Sequence, residues 1–314
     1  MEYETSFKKQ LTDGFVEKKL SASSIKMYLR NLEKLNDDMP LKNLNFLKDI
    51  ASIQQRLDKY KENTKRGYLI SIVSALSLDK KRQKLYDEYY KLMMAKNKEL
   101  KSVESLNEKT PQQEANWITW DEVKTAMSAL EDKIKSFTGN KEINEHQYNT
   151  LLQTVVLALY VLLPPRRNEY QKMCIVKTDS GLPIDTNYLT TDTQQFVFNT
   201  FKTAKKEGQI KEDIPPELMR VIQVYMKFHP LLKGKKVLKT TCIPFLVYYN
   251  GSPLTQVNAI TRILNKTFGK KVGSSMLRAI YLTSKYGDIR KEMLEDSKAM
   301  SHSVQTQQTN YVKI

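Results

Sequence analysis

Hydrophobic positions recur at helical spacing through the first hundred residues of the chain. The first run follows Ser23, which can cap an opening turn, and carries apolar side chains at Ile25, Tyr28, Leu29, Leu32 and Leu35. Two similar runs occupy residues 63–76 and 86–93. Because apolar side chains return every three or four positions, the pattern predicts an all-helical N-terminal domain over residues 1–100.

Residues 101–116 break this pattern. They are rich in Glu, Ser, Thr and Gln, include Pro111, and have almost no apolar periodicity, which predicts an extended linker between two domains. Beyond them, Thr119 and Glu122 have the spacing of a capping box that opens a new helix. A second domain is therefore predicted over residues 117–314.

An apolar helix is predicted early in the second domain, over residues 150–163. It must end at Pro164 and Pro165, because proline cannot continue a helix but fits the first turn of the next one. Arg166 and Arg167 are accordingly predicted at the N-terminus of a new helix.

Shorter, strand-like runs follow at residues 188–191, 195–201 and 208–214, separated by polar turns. Helical spacing returns after residues 215–216, both proline, and continues from Gln256 onward. The predicted fold class is therefore mainly α with a small antiparallel β-sheet, in which a helical N-terminal domain precedes an α+β domain.

The chain is strongly basic. Lys and Arg number 51 against 35 Asp and Glu, so the formal net charge is +16. Each basic group placed on a phosphate releases condensed counterions, which favours a polyanionic partner such as DNA or RNA. A merely lysine-rich protein remains the alternative, because net charge alone does not identify a partner.

The two cysteines, Cys174 and Cys242, lack the paired spacing of a zinc site and are predicted to be reduced, buried thiols. The longest apolar run, residues 155–163, is too short to span a bilayer, and the N-terminus lacks a signal-peptide pattern. These features predict a soluble, intracellular protein without membrane contact. They do not distinguish cytoplasm from nucleus.

Four short segments carry candidate chemistry. Arg166 is followed three positions later by Glu169, and a lysine-rich stretch between two predicted strands holds Lys202, Lys205 and Lys206. Near the C-terminus, Ser275 precedes Arg278 by three positions. Finally, His302 and Tyr311 stand nine positions apart (311 − 302).

In this order the segments resemble the motifs of the tyrosine recombinases, also called phage integrases. The resemblance covers most of residues 117–314, and the helical residues 1–100 look like the core-binding domain that these enzymes place across DNA. It departs from the family at Ser275, where His or Lys is usual, and at Ala279, where a second His is common. Serine is a poor proton carrier at neutral pH.

The resemblance implies a role for each residue. Arg166, supported by Glu169, and Arg278 would clamp the phosphate, because paired guanidiniums can neutralise the charge that develops on its oxygens. Lys205 would protonate the leaving 5′-hydroxyl, with Lys202 and Lys206 as alternatives. Tyr311 would attack the phosphorus to form a 3′-phosphotyrosyl bond. His302 would donate to the phosphate or orient the phenol, and Ser275 would donate a hydrogen bond.

The same resemblance implies a site-specific recombinase or integrase of a mobile element or virus. Its partner would be double-stranded DNA, bound by a homotetramer on two sites with a dimer on each. Arg167 and the basic run Lys80, Lys81 and Arg82 are candidate DNA contacts. No metal or other cofactor is expected.

Other interpretations remain open. A type IB topoisomerase shares these catalytic groups, although the helical N-terminal half argues against it. The replacements at Ser275 and Ala279 raise the possibility of a catalytically silent DNA-binding relative. A metal-dependent nuclease is disfavoured because the sequence has no compact carboxylate cluster.

Overall fold

The computed structural model describes residues 6–105, 108–233, 237 and 241–312. The chain divides into two compact units, Met1–Glu108 and Lys109–Ile314. The described residues are mainly helical and include one small sheet, which confirms the predicted mainly α composition at that level.

Helices make up the first unit. They are α1 (Ser6–Glu17), α2 (Ala22–Leu35), α3 (Ile50–Leu57), α4 (Glu62–Leu76) and α5 (Gln83–Ser105), with 3-10 turns at Asn45–Lys48 and Lys80–Arg82. The Ser21 hydroxyl, rather than that of Ser23, caps α2 by accepting a hydrogen bond from the backbone N–H of Ser24. Leu32 and Tyr89 are fully buried in this unit's core, where the Tyr89 hydroxyl donates to the Leu47 carbonyl at 2.9 Å.

Residues 101–116, predicted as an extended linker, contain the division between the two units but are helical for much of their length. Residues 101–105 continue α5, and α6 (Pro111–Asn116) forms a short helix. Thr110 and Gln113 close a capping box around its first turn, and Pro111 occupies a position where no backbone N–H is needed. The helix is exposed and short, so it has no apolar face from which periodicity could be detected.

The second unit combines helices with strands in the following order. It contains α7 (Trp120–Lys135), α8 (Glu145–Val161), a 3-10 turn (Asn168–Tyr170), β1 (Cys174–Val176), β2 (Tyr188–Thr190), β3 (Gln195–Phe198), α9 (Ala204–Glu207), β4 (Ile210–Asp213), α10 (Pro216–Lys227), β5 (Ile243–Pro244), α11 (Ala259–Phe268), α12 (Ser274–Ala299), α13 (Val304–Thr306) and a π-turn (Gln307–Tyr311). Both sides of the capping box at Thr119 and Glu122 are present at the start of α7, as predicted.

Helix α8 lies at the centre of the second unit's core. Leu151, Val155 and Leu159 are fully buried there, in one cluster with residues from the sheet and from α10, α11 and α12. A helix that is apolar on nearly every side must be surrounded by other elements. This helix therefore fixes where the loop that follows it, which carries Arg166, begins.

The sheet is mixed, whereas an antiparallel sheet was predicted. Its strand order is β4-β3-β2-β1-β5, and β1 pairs with β2 in parallel while the other neighbours are antiparallel. The three predicted strands correspond to β2, β3 and β4. Strands β1 and β5, of three and two residues, were not predicted.

The structure joins Cys174 and Cys242 in a disulfide, so the prediction of two reduced thiols is wrong. Cys174 pairs with Pro244 across the β1–β5 ladder, and Cys242 immediately precedes β5. The pairing brings the two Cα atoms to 5.1 Å although 68 positions separate them in sequence. The spacing of the two cysteines in the sequence does not predict this contact.

Among the described residues, no helix has the length and apolar character that crossing a membrane requires.

We expect Cys174→Ser to lower the free energy of unfolding by about 2–4 kcal/mol under non-reducing conditions, because the bridge closes a long loop of the unfolded chain. Cys242→Ser should cause the same loss, and the double variant no more than either. Urea unfolding with and without a reductant measures this. Alkylation of the unfolded, unreduced protein at both cysteines would show that the bridge is absent.

Candidate functional site

Arg166 lies in a loop between α8 and the 3-10 turn, not at the start of a helix as predicted. Only the single turn Asn168–Tyr170 forms before the chain enters β1. The guanidinium lies over the ring of Phe198 at 3.8 Å from its centroid, and its Nε donates to Glu169 Oε2 at 2.7 Å. Packing and hydrogen bonding therefore hold the side chain in one orientation.

A second carboxylate, which was not predicted, lies beside the same guanidinium. Glu212 Oε2 is 3.5 Å from Arg166 Nη1, close enough for an ion pair but without a hydrogen bond. Burial raises the pKa of the Glu212 carboxyl, against the lowering effect of Arg166, and the nearby charge of Glu169 raises it further. Within the described part of the chain, the Nη hydrogens of Arg166 make no hydrogen bond and can serve an anionic ligand.

The first turn of α12 and the loop that carries Arg166 and Arg167 both lie next to Tyr160. Burial raises the pKa of Tyr160, while a hydrogen bond that the Ser274 hydroxyl donates to the phenol oxygen and the positive charge of Arg278 oppose that rise. Glu169 also acts electrostatically on this phenol, whose hydroxyl donates to the Arg167 carbonyl at 3.2 Å. The structure thus brings Arg166, through Glu169, and Arg278 to the surroundings of one buried side chain.

Ser275, the predicted hydrogen-bond donor, is exposed on α12, whereas its neighbour Ser274 is buried. Ser274 precedes Arg278 by four positions and therefore lies on the same helix face. Ser275, three positions before Arg278, shares that face by the same rule, so burial and the contact with Tyr160, rather than spacing, single out Ser274.

The three candidate lysines lie on the connection between β3 and β4, as predicted. Lys202, Lys205 and Lys206 are all exposed, and the last two belong to the single-turn helix α9. Among the described residues, Lys205 has no ion-pair partner, while Lys206 approaches Glu207 at 3.9 Å. Lys205 is therefore free to engage an external group.

Buried Asn187 connects the lysine loop to the arginine loop. Its Nδ2 donates to the carbonyls of Glu169 at 3.1 Å and Thr200 at 3.0 Å. Its Oδ1 accepts from the backbone N–H groups of Asn199 at 2.9 Å and Thr200 at 2.8 Å. These bonds fix the point at which the loop that carries the lysines leaves the sheet, beside the loop that carries Arg166.

His302 and Tyr311 form a pair at the other end of α12. Their rings stack with centroids 5.2 Å apart and planes inclined by 24°. Tyr311 is 64% exposed, and both imidazole nitrogens of His302 are buried without a hydrogen-bond partner among the described residues. The pair is thus preformed, with a phenol open to an incoming group.

Helix α12 separates this pair from the arginines of the same chain. It is continuous over 26 residues, and the backbone N–H of His302 donates to the Ser297 carbonyl at 3.0 Å, which keeps the histidine beside the helix C-terminus. Ser297 follows Arg278 by 19 positions (297 − 278), which corresponds to about 28 Å of axial rise. One chain therefore does not bring Tyr311 to the arginine pair.

The candidate DNA contacts of the first unit differ among themselves. Lys80 and Lys81 are exposed, but Arg82 is half-buried and bonded to Asp79 at 3.0 Å and Asn45 at 3.1 Å. Arg82 thus stabilises its own turn. In the second unit, the side chain of Arg167 is exposed.

No protein-family model, curated protein or solved structure matches this chain. The resemblance to the tyrosine recombinases therefore rests on the order of the sequence motifs alone.

We expect Arg166→Ala to lower the free energy of unfolding by about 2 kcal/mol near neutral pH, because Glu169 and Glu212 lose the cation between them. The pKa of Glu212 is raised in the folded protein, so the folded state takes up this proton at a higher pH than the unfolded state does. The loss should therefore shrink when the pH is lowered below neutral and Glu212 takes up its proton.

Urea unfolding at the two pH values measures this difference. The exposed neighbour provides the control, since Arg167→Ala should have little effect at either pH. An Arg166→Ala loss of the same size at both pH values would contradict the assigned role of Glu212.

Proposed function

We propose that the protein cuts and rejoins double-stranded DNA as a site-specific recombinase, through a transient 3′-phosphotyrosyl bond to Tyr311. The observation that carries this proposal is that Arg166 is held by Glu169, that Glu169 and Arg278 both act electrostatically on Tyr160, and that three exposed lysines lie on the neighbouring loop. Two guanidiniums suit a phosphodiester, because each can donate two hydrogen bonds to its oxygens.

Arg166 is well prepared for this task. Its Nε donates a hydrogen bond to Glu169, and Phe198 packs against one face of the guanidinium. The Nη hydrogens are therefore oriented before DNA binds. Donors fixed in advance need no reorganisation when charge develops on the phosphate. Glu169 and Phe198 are in this sense positioning residues.

The reaction begins when the Tyr311 oxygen forms a bond to phosphorus and the bond from phosphorus to the 5′-oxygen breaks. The leaving oxygen keeps the electron pair and takes a proton from the Lys205 ammonium group. The phenol proton passes to His302 or to solvent. Attack by a 5′-hydroxyl on the phosphotyrosine reverses these steps, with the same strand or with another duplex.

The net charge of +16 supports a duplex partner, since neutralised phosphates release counterions. Lys80, Lys81 and Arg167 are exposed and can contact the backbone. We further propose a homotetramer that holds two DNA sites, because strand exchange requires two duplexes at once.

A second candidate function is DNA binding without cleavage. It is favoured by the distance of about 28 Å along α12 between Arg278 and the end that carries Tyr311, and by serine at position 275. The two functions differ in one observable, a covalent bond between the protein and DNA.

We expect the protein to form a covalent adduct with a nicked duplex whose short 5′ fragment is lost after cleavage, so that religation cannot occur. Because the target sequence is unknown, the substrate is a pool of nicked duplexes with randomised sequence. Tyr311→Phe should abolish the adduct, which denaturing electrophoresis detects. The adduct should persist in EDTA, because the nucleophile is the phenol.

Tyr286→Phe is the matched control, since Tyr286 is also an exposed tyrosine of the same unit. An adduct that survives Tyr311→Phe, or that EDTA eliminates, would contradict the mechanism. A complete lack of adduct would leave DNA binding alone. Formation of a four-way junction from two duplexes separates a recombinase from a topoisomerase.

We expect Lys205→Ala to slow cleavage by about 10²–10⁴-fold, since a general acid contributes in that range. The same change at Lys202 or Lys206 should slow it far less, and these variants are the matched controls. Replacing the leaving 5′-oxygen by sulfur should restore the rate of Lys205→Ala, because a thiolate leaves without protonation. A rate that sulfur does not restore would assign Lys205 to DNA binding instead.

A further inference from the structure

The proposed reaction assigns no role to Glu212, the second carboxylate beside Arg166. Glu212 lies on β4, an edge strand of the sheet, directly opposite Phe196 of β3. Because successive side chains of a strand point to opposite faces, its neighbours Lys211 and Asp213 lie on the other face of the sheet. Glu212 therefore faces the side on which Arg166 lies, and its Oε2 is 3.5 Å from Arg166 Nη1.

Aromatic side chains make this face of the sheet apolar around Glu212. Tyr170 packs edge-on against Phe196 and Phe198, with ring centroids 5.3 Å and 5.6 Å apart, and all three residues are fully buried. Among the described residues, neither Glu212 Oε2 nor the Tyr170 hydroxyl has a hydrogen-bond partner, although both atoms are buried. A buried carboxylate without hydrogen-bond donors needs a nearby cation to stay ionised.

Two charged groups influence the Glu212 carboxyl within the described part of the chain, and they have opposite signs. Arg166 favours the ionised form, whereas Glu169, which accepts a hydrogen bond from Arg166 Nε at 2.7 Å, disfavours it. Tyr170, a titratable group of the neighbouring 3-10 turn, stays neutral because burial raises its pKa well above the usual value. The charge of Glu212 therefore depends on its ion pair with Arg166.

A phosphodiester bound to Arg166 would weaken that ion pair. The Nη hydrogens of Arg166 make no hydrogen bond among the described residues and are the donors that an anionic ligand would meet. The negative charge of the ligand then lies close to Glu212 and shares the same cation. Because a like charge nearby raises the pKa of a carboxyl, ionised Glu212 opposes phosphate binding and neutral Glu212 does not.

We propose that a DNA phosphodiester binds at Arg166 together with a proton, which Glu212 takes up from the solvent. The proposal rests on the proposed function and adds a condition for DNA binding. The proton forms an O–H bond on the Glu212 carboxylate, so the charge lost there equals the single negative charge that the phosphodiester brings. Solvent reaches the carboxyl because 27% of the side chain is exposed, even though Oε2 is buried.

The proposal sets the direction of the pH dependence of DNA binding. Because bound phosphate raises the pKa of Glu212, the affinity for DNA is highest at acidic pH. It falls as the pH rises through the pKa of Glu212 in the free protein, by up to about tenfold per pH unit. Glu212→Gln keeps the shape of the neutral acid and cannot ionise, so its affinity should vary less with pH and exceed that of the parent chain at alkaline pH. Replacing a residue that only supports the fold would instead weaken binding.

Titration calorimetry measures the proton uptake directly. The full chain, carrying Tyr311→Phe so that no cleavage follows binding, is titrated with a pool of intact duplexes of randomised sequence. The binding heat is compared between two buffers of different ionisation enthalpy over a series of pH values. This parent chain should take up more protons than its Glu212→Gln variant, with a maximal difference of up to about one proton per bound chain. Arg166→Ala should reduce the uptake to that of Glu212→Gln, because it removes the phosphate contact.

Asp213→Asn is the matched control, because it removes an exposed carboxylate of the same strand that accepts a hydrogen bond from Gln195 on the opposite face. It should take up as many protons as the parent chain does. Equal uptake by the parent chain and Glu212→Gln, or full uptake by Arg166→Ala, would overturn the proposal. If the parent chain does not bind the duplex pool, the proposed function itself fails, so the two failures are distinguishable.

Discussion

The constant rise of an α-helix sets the separation between the two ends of the proposed site. Helix α12 runs without interruption from Ser274 to Ala299. One residue adds about 1.5 Å, so the helix sets a fixed distance between the arginine at its start and the tyrosine beyond its end. No side-chain rotation compensates for such a separation. Leu277 and Ile280 pack in the core and fix the direction of the helix. Most residues of α12 beyond them are exposed.

Ion pairs and aromatic packing stabilise the surroundings of Arg166. Arg166 lies between two carboxylates and over an aromatic ring, and Asn187 ties its loop to the lysine loop. Arranged in this way, the cation offsets the cost of burying Glu212, and its Nη hydrogens make no hydrogen bond among the described residues. The tyrosine side is different, since it depends on a stacked pair at an exposed tip.

Much of the fold could be predicted from local pattern. The helices of the first unit, the capping box at Thr119 and the strands β2 to β4 each have signals within a few residues of sequence. The parallel pairing of β1, the bridge between Cys174 and Cys242 and the contact of Glu212 with Arg166 join distant positions. Such contacts arise only when the sheet forms, so local pattern cannot reveal them.

The sequence indicates candidate site residues but not their geometry. Motif order indicated Arg166, Arg278 and Tyr311, yet a list of residues does not state how far a helix keeps them apart. The proposed mechanism joins DNA to Tyr311. Mass spectrometry of the peptide containing residues 299–313, taken from protein trapped on a nicked duplex, tests it most directly. A 3′-linked nucleotide on Tyr311 is the predicted result, and a nucleotide on any other residue would contradict it.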